Sequence, residues 1–444
     1  MKNTLFGTDG IRGNVGSEHI NPEAFYDMGV TFACTQPDIG EVVIGHDSRD
    51  SGYSLAQAAA AGVTAALSTP ILVDVASTPA IAHLSSRYGG GISVTASHNG
   101  AKDNGFKPFV WGEKLTDGAI STFEENYHEL RKRSLQRKLS LNAESDPSML
   151  DLYTQQLQKR FPEGSLSGKS LILDCANGAC SEIAPGFFRE YLGAKVIEFA
   201  SDVKDQINDR VGAANLDGLR QQIAALDGSI NRDFLGGFSF DGDGDRVMGM
   251  TAKGDVINGN HWLSMLADGE EGVVGTLYTN NALRRYLAIR GVEFHECANG
   301  DSSVTKRLRQ LGLSRGGEFT GHLVDLSHLS SGDGIFMAAQ MATQLAVDDQ
   351  TLQDVFNELP MWPEHMDQIQ ITPEATRRLR PEIIQEIIKQ QLGARLAEDV
   401  DVVVRPSGTE PLLRIWAQAR DKQVAFQTTE KIKRAFYYFD EQAT

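Results

Sequence analysis

"EVVIGHDSR", residues 41–49, runs from an apolar, β-branched stretch through a glycine into Asp-Ser-Arg, the pattern of a buried strand that ends in a tight turn at the start of a helix. The pattern returns in "SLILDCANGA" (170–179) and "GVVGTLYTNNAL" (272–283). Units of this kind wind into sheets with parallel strands, and such sheets bind ligands at the carboxyl ends of their strands. A second set of apolar runs ends in loops with more reactive side chains: "GISVTASHNG" (91–100), "GGFSFDGDGDR" (236–246) and "LSRGGEFTGH" (313–322). The sequence thus predicts three α/β modules, each offering one loop.

At 444 residues the chain is too long for a single core and predicts about three or four domains. Residues 127–161 are polar and charge-rich before they turn helical, and residues 358–371 carry two prolines and end in alternation, so both read as boundaries. The last part has a helical middle, a strand "DVDVVVR" (399–405), a loop "PSGTEP" (406–411), a strand "LLRIWAQA" (412–419) and a closing helix, an α+β pattern unlike the rest. The expected domains are 1–145, 146–250, 251–362 and 363–444.

A net charge of −17 repels nucleic acid and anionic membranes on average, while a local basic cluster can still hold a small anion. "MKNTLFGTDGIRG" (1–13) has no apolar core of signal-peptide length, and no stretch approaches the roughly 18 apolar residues that span a bilayer, so a cytoplasmic protein is expected. Cys34, Cys175, Cys180 and Cys297 show no C-x-x-C spacing, which supports neither a disulfide framework nor a zinc site and predicts buried thiols.

In "FDGDGDR" (240–246), Asp241, Asp243 and Asp245 alternate with glycines, so three carboxylates can fold inward without side chains blocking one another. Such charges repel unless a cation is present, and a hard divalent ion, Mg2+ most simply, answers that. A solvated acidic turn or a calcium loop is the other reading, although "DGDGDRVMGMTA" (241–252) lacks the Glu that an EF-hand has at its twelfth position. Ser97 precedes His98, and neighbours on an extended chain point to opposite faces, so His98 is expected to be badly placed to activate it for acyl transfer. A hydroxyl beside Mg2+ needs no such base if it already carries a phosphoryl group. Ser97 therefore reads either as a phosphate carrier or as a turn serine, with His98 and Lys107 as candidates for proton transfer or phosphate steering.

In "RPSGTEP" (405–411), Arg405 can grip a phosphate bidentately while Ser407, Thr409 and the N–H groups around Gly408 complete a cradle; the alternative is a plain hairpin turn. Arg12 and Arg49, in Gly- and Asp-rich turns, either add positive charge or are structural. Glu318, Thr320 and His322 in "GGEFTGH" (316–322) suit recognition of vicinal sugar hydroxyls or an amine.

Taken in order, these loops resemble the α-D-phosphohexomutase superfamily over essentially the whole chain. "LFGTDGIRG" (5–13) looks most like the phosphoglucosamine mutase branch; "TASHN" (95–99) resembles the phosphoserine loop, "DGDGDR" (241–246) the metal loop, "GEFTGH" (317–322) the sugar loop and "RPSGTEP" the phosphate loop. The resemblance implies an α/β fold of three related α/β domains with mixed sheets plus a smaller C-terminal α+β domain around a central cleft, with a hinge near 360–370. It implies a phosphorylated Ser97 and Mg2+ held by Asp241, Asp243, Asp245 and the phosphoserine. Arg12, Lys107 and Arg246 fall where the family has active-site cations, Lys107 as a general acid/base, and Glu318 and Thr320 would meet the sugar. The implied reaction interconverts glucosamine 6-phosphate and glucosamine 1-phosphate through a hexose 1,6-bisphosphate. The implied partner is a small phosphosugar, with no nucleic acid and no membrane, for a monomer or homodimer.

Three departures stand out. Gly100 replaces the proline that usually follows "SHN", Thr320 replaces a serine, and Ala298 and Ser302 in "CANGDSSVTKRL" (297–308) stand where the family tends to carry lysine and arginine. They keep open two rivals: a mutase for mannose or glucose phosphates, and a degenerate relative that binds phosphosugar without efficient turnover.

Overall fold

The strand Glu41–His46 forms where its pattern places it, and it pairs in parallel on both sides, with Gly89–Val94 and with Thr69–Val75. Strands flanked this way are buried on both faces, which is why "VVIGH" is apolar without alternation. The sheet continues through Asp103–Val110, antiparallel to Gly89–Val94, to Ile11–Asn14 at its edge. This antiparallel return sets Lys107 opposite Ser93 and Arg12 opposite Gly105, at the end from which the Ser97 loop leaves.

The computed structural model describes residues 5–7, 9–36, 38–133, 137–141, 144–226, 231–393, 399–406 and 412–443. They fall into two compact units, Met1–Thr276 with Val292–Glu358, and Leu277–Gly291 with Leu359–Thr444. The first unit contains two further mixed sheets. One has the order Val256–Ile257, Val247–Met250, Phe234–Phe240, Ser170–Asp174, Lys195–Phe199; the other has the order Glu293–Cys297, Gly272–Thr276, Arg315–Gly317, Leu323–Asp325. The metal-type loop follows Phe234–Phe240 and the "EFTGH" loop follows Arg315–Gly317, so all three chemically pointed loops of this unit leave a strand at its carboxyl end.

The second unit is a three-stranded antiparallel sheet, Glu364–Gln370, Leu412–Ala419 and Val400–Pro406, backed by the long helix Lys422–Ala443. Ile369, Ile415, Ala425, Ile432 and Phe436 fill its core. The helix Asn281–Arg290 belongs here although it lies between two strands of the third sheet in the chain; the Asn280 side-chain amide that precedes it donates to the Trp362 carbonyl at 3.0 Å and to Glu364 at 2.7 Å. The mixed sheets and the small antiparallel C-terminal sheet match the expected fold class. No helix among the described residues is long and apolar enough to cross a membrane. Cys175 and Cys180 are buried, whereas Cys297 is half-buried and Cys34 is exposed; the expectation of four buried thiols fails at Cys34 because it lies on the solvent side of the last turn of Pro22–Thr35.

That helix crosses Gly52–Ala65 with the two backbones almost touching. A Cβ on Gly29 would stand 2.2 Å from the Ala59 carbonyl oxygen, and one on Gly62 would stand 2.0 Å from that of Tyr26. The run Ala58–Ala61 is buried for the same reason: only small residues let the helices approach so closely. Gly29→Ala and Gly62→Ala should each destabilise the first unit by about 1–3 kcal/mol through overpacking. Gly118→Ala, in an exposed first turn with nothing within 4 Å of the added methyl, should be neutral or stabilising by about 0.4–1 kcal/mol. Urea unfolding followed by hydrogen exchange in Pro22–Thr35 measures both; equal effects would show that the helices have room to part.

Candidate active site

Ser97 is fully buried, with a left-handed backbone at φ +54°. This turn corrects the expectation drawn from an extended chain. The left-handed residue brings Ser97 Oγ to 3.2 Å from His98 Nδ1, on the same side rather than the opposite one. His98 is nevertheless no strong base, since burial and then the nearby Arg246 and Arg12 lower its pKa to about 4. Ser97 Oγ makes its short contact elsewhere, donating to Asp241 Oδ2 at 2.7 Å.

Asp241, Asp243 and Asp245 are all buried, and each offers an oxygen within 4.8 Å of the others. Asp243 accepts from Thr78 Oγ1 and from Lys107 Nζ, each at 2.6 Å, and Lys107 Nζ also donates to Asp245 at 3.0 Å. Burial, and then repulsion from Asp245 and Asp243, push the Asp241 carboxyl well above its ordinary range. Burial works the same way on Asp245, but Lys107 overcomes it and holds that carboxyl low. Asp243 Oδ1 and Asp245 Oδ1 are buried with no hydrogen-bond partner. Hard, anionic oxygens left unpartnered at the centre of the cluster fit a divalent cation such as Mg2+.

The surrounding cations form one chain of ion pairs. Lys107, almost fully buried, also meets Asp9 Oδ2 at 2.6 Å, and Asp9 further binds Arg12 at 2.5 Å and Lys114 at 2.6 Å. Lys114 in turn pairs closely with Asp301. Although burial raises the Lys107 ammonium's cost, Asp243, Asp245 and Asp9 together raise its pKa, so its proton is firmly held. Arg246 Nε lies 3.9 Å from Asp241 and 3.8 Å from Asp245, without a hydrogen bond.

His322 links the third loop to this cluster, with Nδ1 3.6 Å from Asp245 Oδ1 and Nε2 3.5 Å from Asp301 Oδ2. Glu318 accepts from the Gly300 N–H at 2.9 Å, and Thr320 Oγ1 is buried without a partner. Ser97, His98, Lys107, Arg12, Arg246, the three aspartates and His322 are thus brought together, with Glu318 one loop further out. Arg405 is the last residue but one of the strand Val400–Pro406 in the second unit, exposed and opposite Arg414; Ser407, Gly408 and Thr409 lie outside the described residues.

Sequence reasoning missed Asp9, Thr78, Lys114 and Asp301. Asp9 sits in the glycine-flanked "GTDG" (7–10), where a turn carboxylate between two future cations was the available signal. Of the two readings of Arg49, added positive charge or a structural role, the second fits: it donates into the Ser97 loop.

The sequence matches the family descriptions "Phosphoglucomutase/phosphomannomutase, alpha/beta/alpha domain I" over residues 3–134, "alpha/beta/alpha domain III" over 243–361 and "C-terminal domain" over 367–435. It is 35% identical over 443 residues to the phosphoglucosamine mutase of Pseudoalteromonas translucida, covering 96% of each chain. In fold it is similar to a phosphoglucomutase/phosphomannomutase family protein from Burkholderia thailandensis, with TM-score 0.80, 21% identity and 99% and 98% of the two chains covered. It also resembles the N-acetylphosphoglucosamine mutase of Aspergillus fumigatus, solved in complex with GlcNAc-6P and magnesium, with TM-score 0.67, 17% identity and 98% and 96% covered. Full-length identity of this order, with the serine and the three aspartates meeting at one point, places the chain: it belongs to the α-D-phosphohexomutase superfamily and is an enzyme of that family.

Proposed function

We propose that this enzyme interconverts glucosamine 6-phosphate and glucosamine 1-phosphate by way of phosphorylated Ser97. The observation that carries the reading is the 2.7 Å contact between Ser97 Oγ and Asp241, at the edge of three buried carboxylates with unpartnered oxygens. The full-length likeness to a phosphoglucosamine mutase supports the choice of sugar over mannose or glucose phosphates.

In this reading the bond from phosphorus to Ser97 Oγ breaks as a bond to the free sugar hydroxyl forms, and the hydroxyl proton leaves to a base. The resulting 1,6-bisphosphate turns over and returns its other phosphoryl group to Ser97. Asp241, Asp243 and Asp245 would hold Mg2+ together with the phosphoserine, and the ion, when bound, neutralises charge on the transferring group. Arg12, Arg246 and Lys107 supply the remaining positive charge. Lys107, held by three carboxylates, steers phosphate in this arrangement and becomes a proton donor once substrate loosens those pairs. His98, neutral at its lowered pKa, is only a weak proton acceptor near Ser97. Glu318 and Thr320 would recognise the sugar, with His322 anchoring their loop. Arg405, Ser407, Gly408 and Thr409 would grip the phosphate that is not reacting.

Two measurements test this. Intact-mass analysis should show a phosphate-sized increment on the parent chain that is absent from Ser97→Ala, together with loss of turnover; an increment that persists in the variant would remove Ser97 as the carrier. Chelation, or Asp243→Asn, should lower kcat about a hundredfold or more, since a bound cation contributes several kcal/mol of charge stabilisation. Full activity of Asp243→Asn in excess EDTA would sink the metal assignment.

The departures at Ala298 and Ser302 bear on retention of the bisphosphate. Of the cations nearby, Lys114 is bound to Asp9 and Asp301 and Lys306 lies 3.2 Å from Asp117, which leaves Arg307, whose Nε is buried without a hydrogen-bond partner, as the remaining source of positive charge. Bisphosphate should therefore escape often, leaving steady turnover dependent on added glucose 1,6-bisphosphate, and Ala298→Lys with Ser302→Arg should lessen that dependence. Sustained turnover without activator and without free bisphosphate in solution would contradict this.

A further inference from the structure

The Ser97 loop is gripped through its carbonyls by two side chains, Arg49 and Asn208. The Ser97 carbonyl accepts from Arg49 Nη2 at 2.9 Å and from Asn208 Nδ2 at 2.8 Å, and the Asn99 carbonyl accepts from the same two groups at 2.8 and 3.0 Å. Arg49 is buried and uses all five of its N–H donors: Nε on Asp47 at 2.9 Å, Nη1 on the carbonyls of Gly100 and of Asp103, and Nη2 as above. Its partners all belong to the first sheet and its loops, so Arg49 sets the shape of the Ser97 loop.

Asn208 comes from elsewhere. It lies between the strand Lys195–Phe199 and the helix Asp217–Ala225, in the part of the chain whose sheet carries the three aspartates. Its own backbone is left-handed at φ +58°, which asparagine tolerates, and its N–H donates to the Ala176 carbonyl at 2.9 Å. A Cβ built on Gly242, inside the aspartate loop, would stand 2.7 Å from Asn208 Nδ2 and 2.8 Å from the Ser97 carbonyl oxygen. The Asn208 amide, the Ser97 peptide and the aspartate loop therefore meet without room for a methyl group.

We propose that Asn208 is a positioning residue for phosphoryl transfer at Ser97: its side-chain amide ties the Ser97 loop to the aspartate-bearing sheet and so sets the direction of Ser97 Oγ toward Asp241. Pinning the carbonyl of residue 97 fixes ψ there, and with φ already left-handed only χ1 is left to aim the oxygen. Gly100, lacking the ring of a proline, adds no stiffness of its own, so the tie has to come from outside the loop. The proposal rests on the reading of Ser97 as the phosphate carrier.

A cavity of about 330 Å3 lies against this seam, lined by residues 100–103 and 206–209, so water can solvate the two carbonyls when the amide is removed. Loss of positioning should then appear without loss of the fold. Asn208→Asp keeps the side-chain shape but removes both donors, and Asn208→Gly keeps the left-handed backbone, so one stands in if the other fails to fold. The readouts, on the full chain with Mg2+, are kcat and KM for glucosamine 6-phosphate and the rate at which glucose 1,6-bisphosphate phosphorylates the protein, followed by intact mass. Both variants should lose about ten- to a hundredfold in kcat and in phosphorylation rate, with KM within about twofold of the parent, as misplacement of a reacting atom by about 1 Å predicts. A folded variant with unchanged kcat and phosphorylation rate would overturn the proposal, as would parallel changes in kcat and KM that track a lowered melting temperature. Ser97→Ala in the same assays separates the two levels: if it still turns over, the carrier reading itself has failed.

Discussion

Three carboxylates buried within 4.8 Å of one another are unstable in a protein interior unless positive charge is delivered to the same place. The described residues deliver it incompletely. One ammonium, Lys107, is shared among Asp243, Asp245 and Asp9, while Asp241 has an arginine side chain at 3.9 Å, the Ser97 hydroxyl and the Arg246 N–H. The imbalance falls on Asp241, whose carboxyl is pushed upward, and it is Asp241 that faces Ser97. Affinity for a cation and the placement of the hydroxyl have the same origin.

The sheets are arranged to bring those charges together. A rigid central strand holds the almost fully buried Lys107 ammonium among the carboxylates and away from water. Lys107 sits mid-strand in Asp103–Val110, with Arg12 entering from the neighbouring edge strand in antiparallel register. Glycine does the complementary work in the aspartate loop. Gly244 is left-handed at φ +74°, with Cys180 Sγ 2.5 Å from where a Cβ would be, so the loop can fold its carboxylates inward against the first sheet.

Much of this was legible in the chain itself. The strands at 41–46, 170–174, 400–406 and 412–419 follow from short apolar runs bounded by Gly, Asn, Asp or Pro, because burial on both faces leaves a pattern that local chemistry can show. The aspartate triad was visible because its spacing is self-contained. The Ser97–His98 relation was misread because one left-handed residue reverses the facing of neighbours, and nothing in "TASHN" marks which residue takes that conformation. Asn208, Lys114 and Asp301 lie outside any periodic pattern, and their roles exist only once elements 111 to 187 residues apart in sequence are adjacent. Distances of that kind are set by topology, which local residue patterns do not encode.

The helix Asn281–Arg290 is inserted into the middle of the third sheet's sequence yet belongs to one compact unit with residues after Leu359. The smaller unit is therefore discontinuous, and the chain passes between the units at three places rather than one. A truncation before Leu359 would not release a self-sufficient remainder: it would leave the Asn280 amide without Trp362 and Glu364 and the Asn281 N–H without the Gln418 side chain. For anyone dissecting this enzyme into pieces, or seeking a site for circular permutation, the interval 277–291 must travel with the C-terminal fragment, and the two cannot be separated by a single cut.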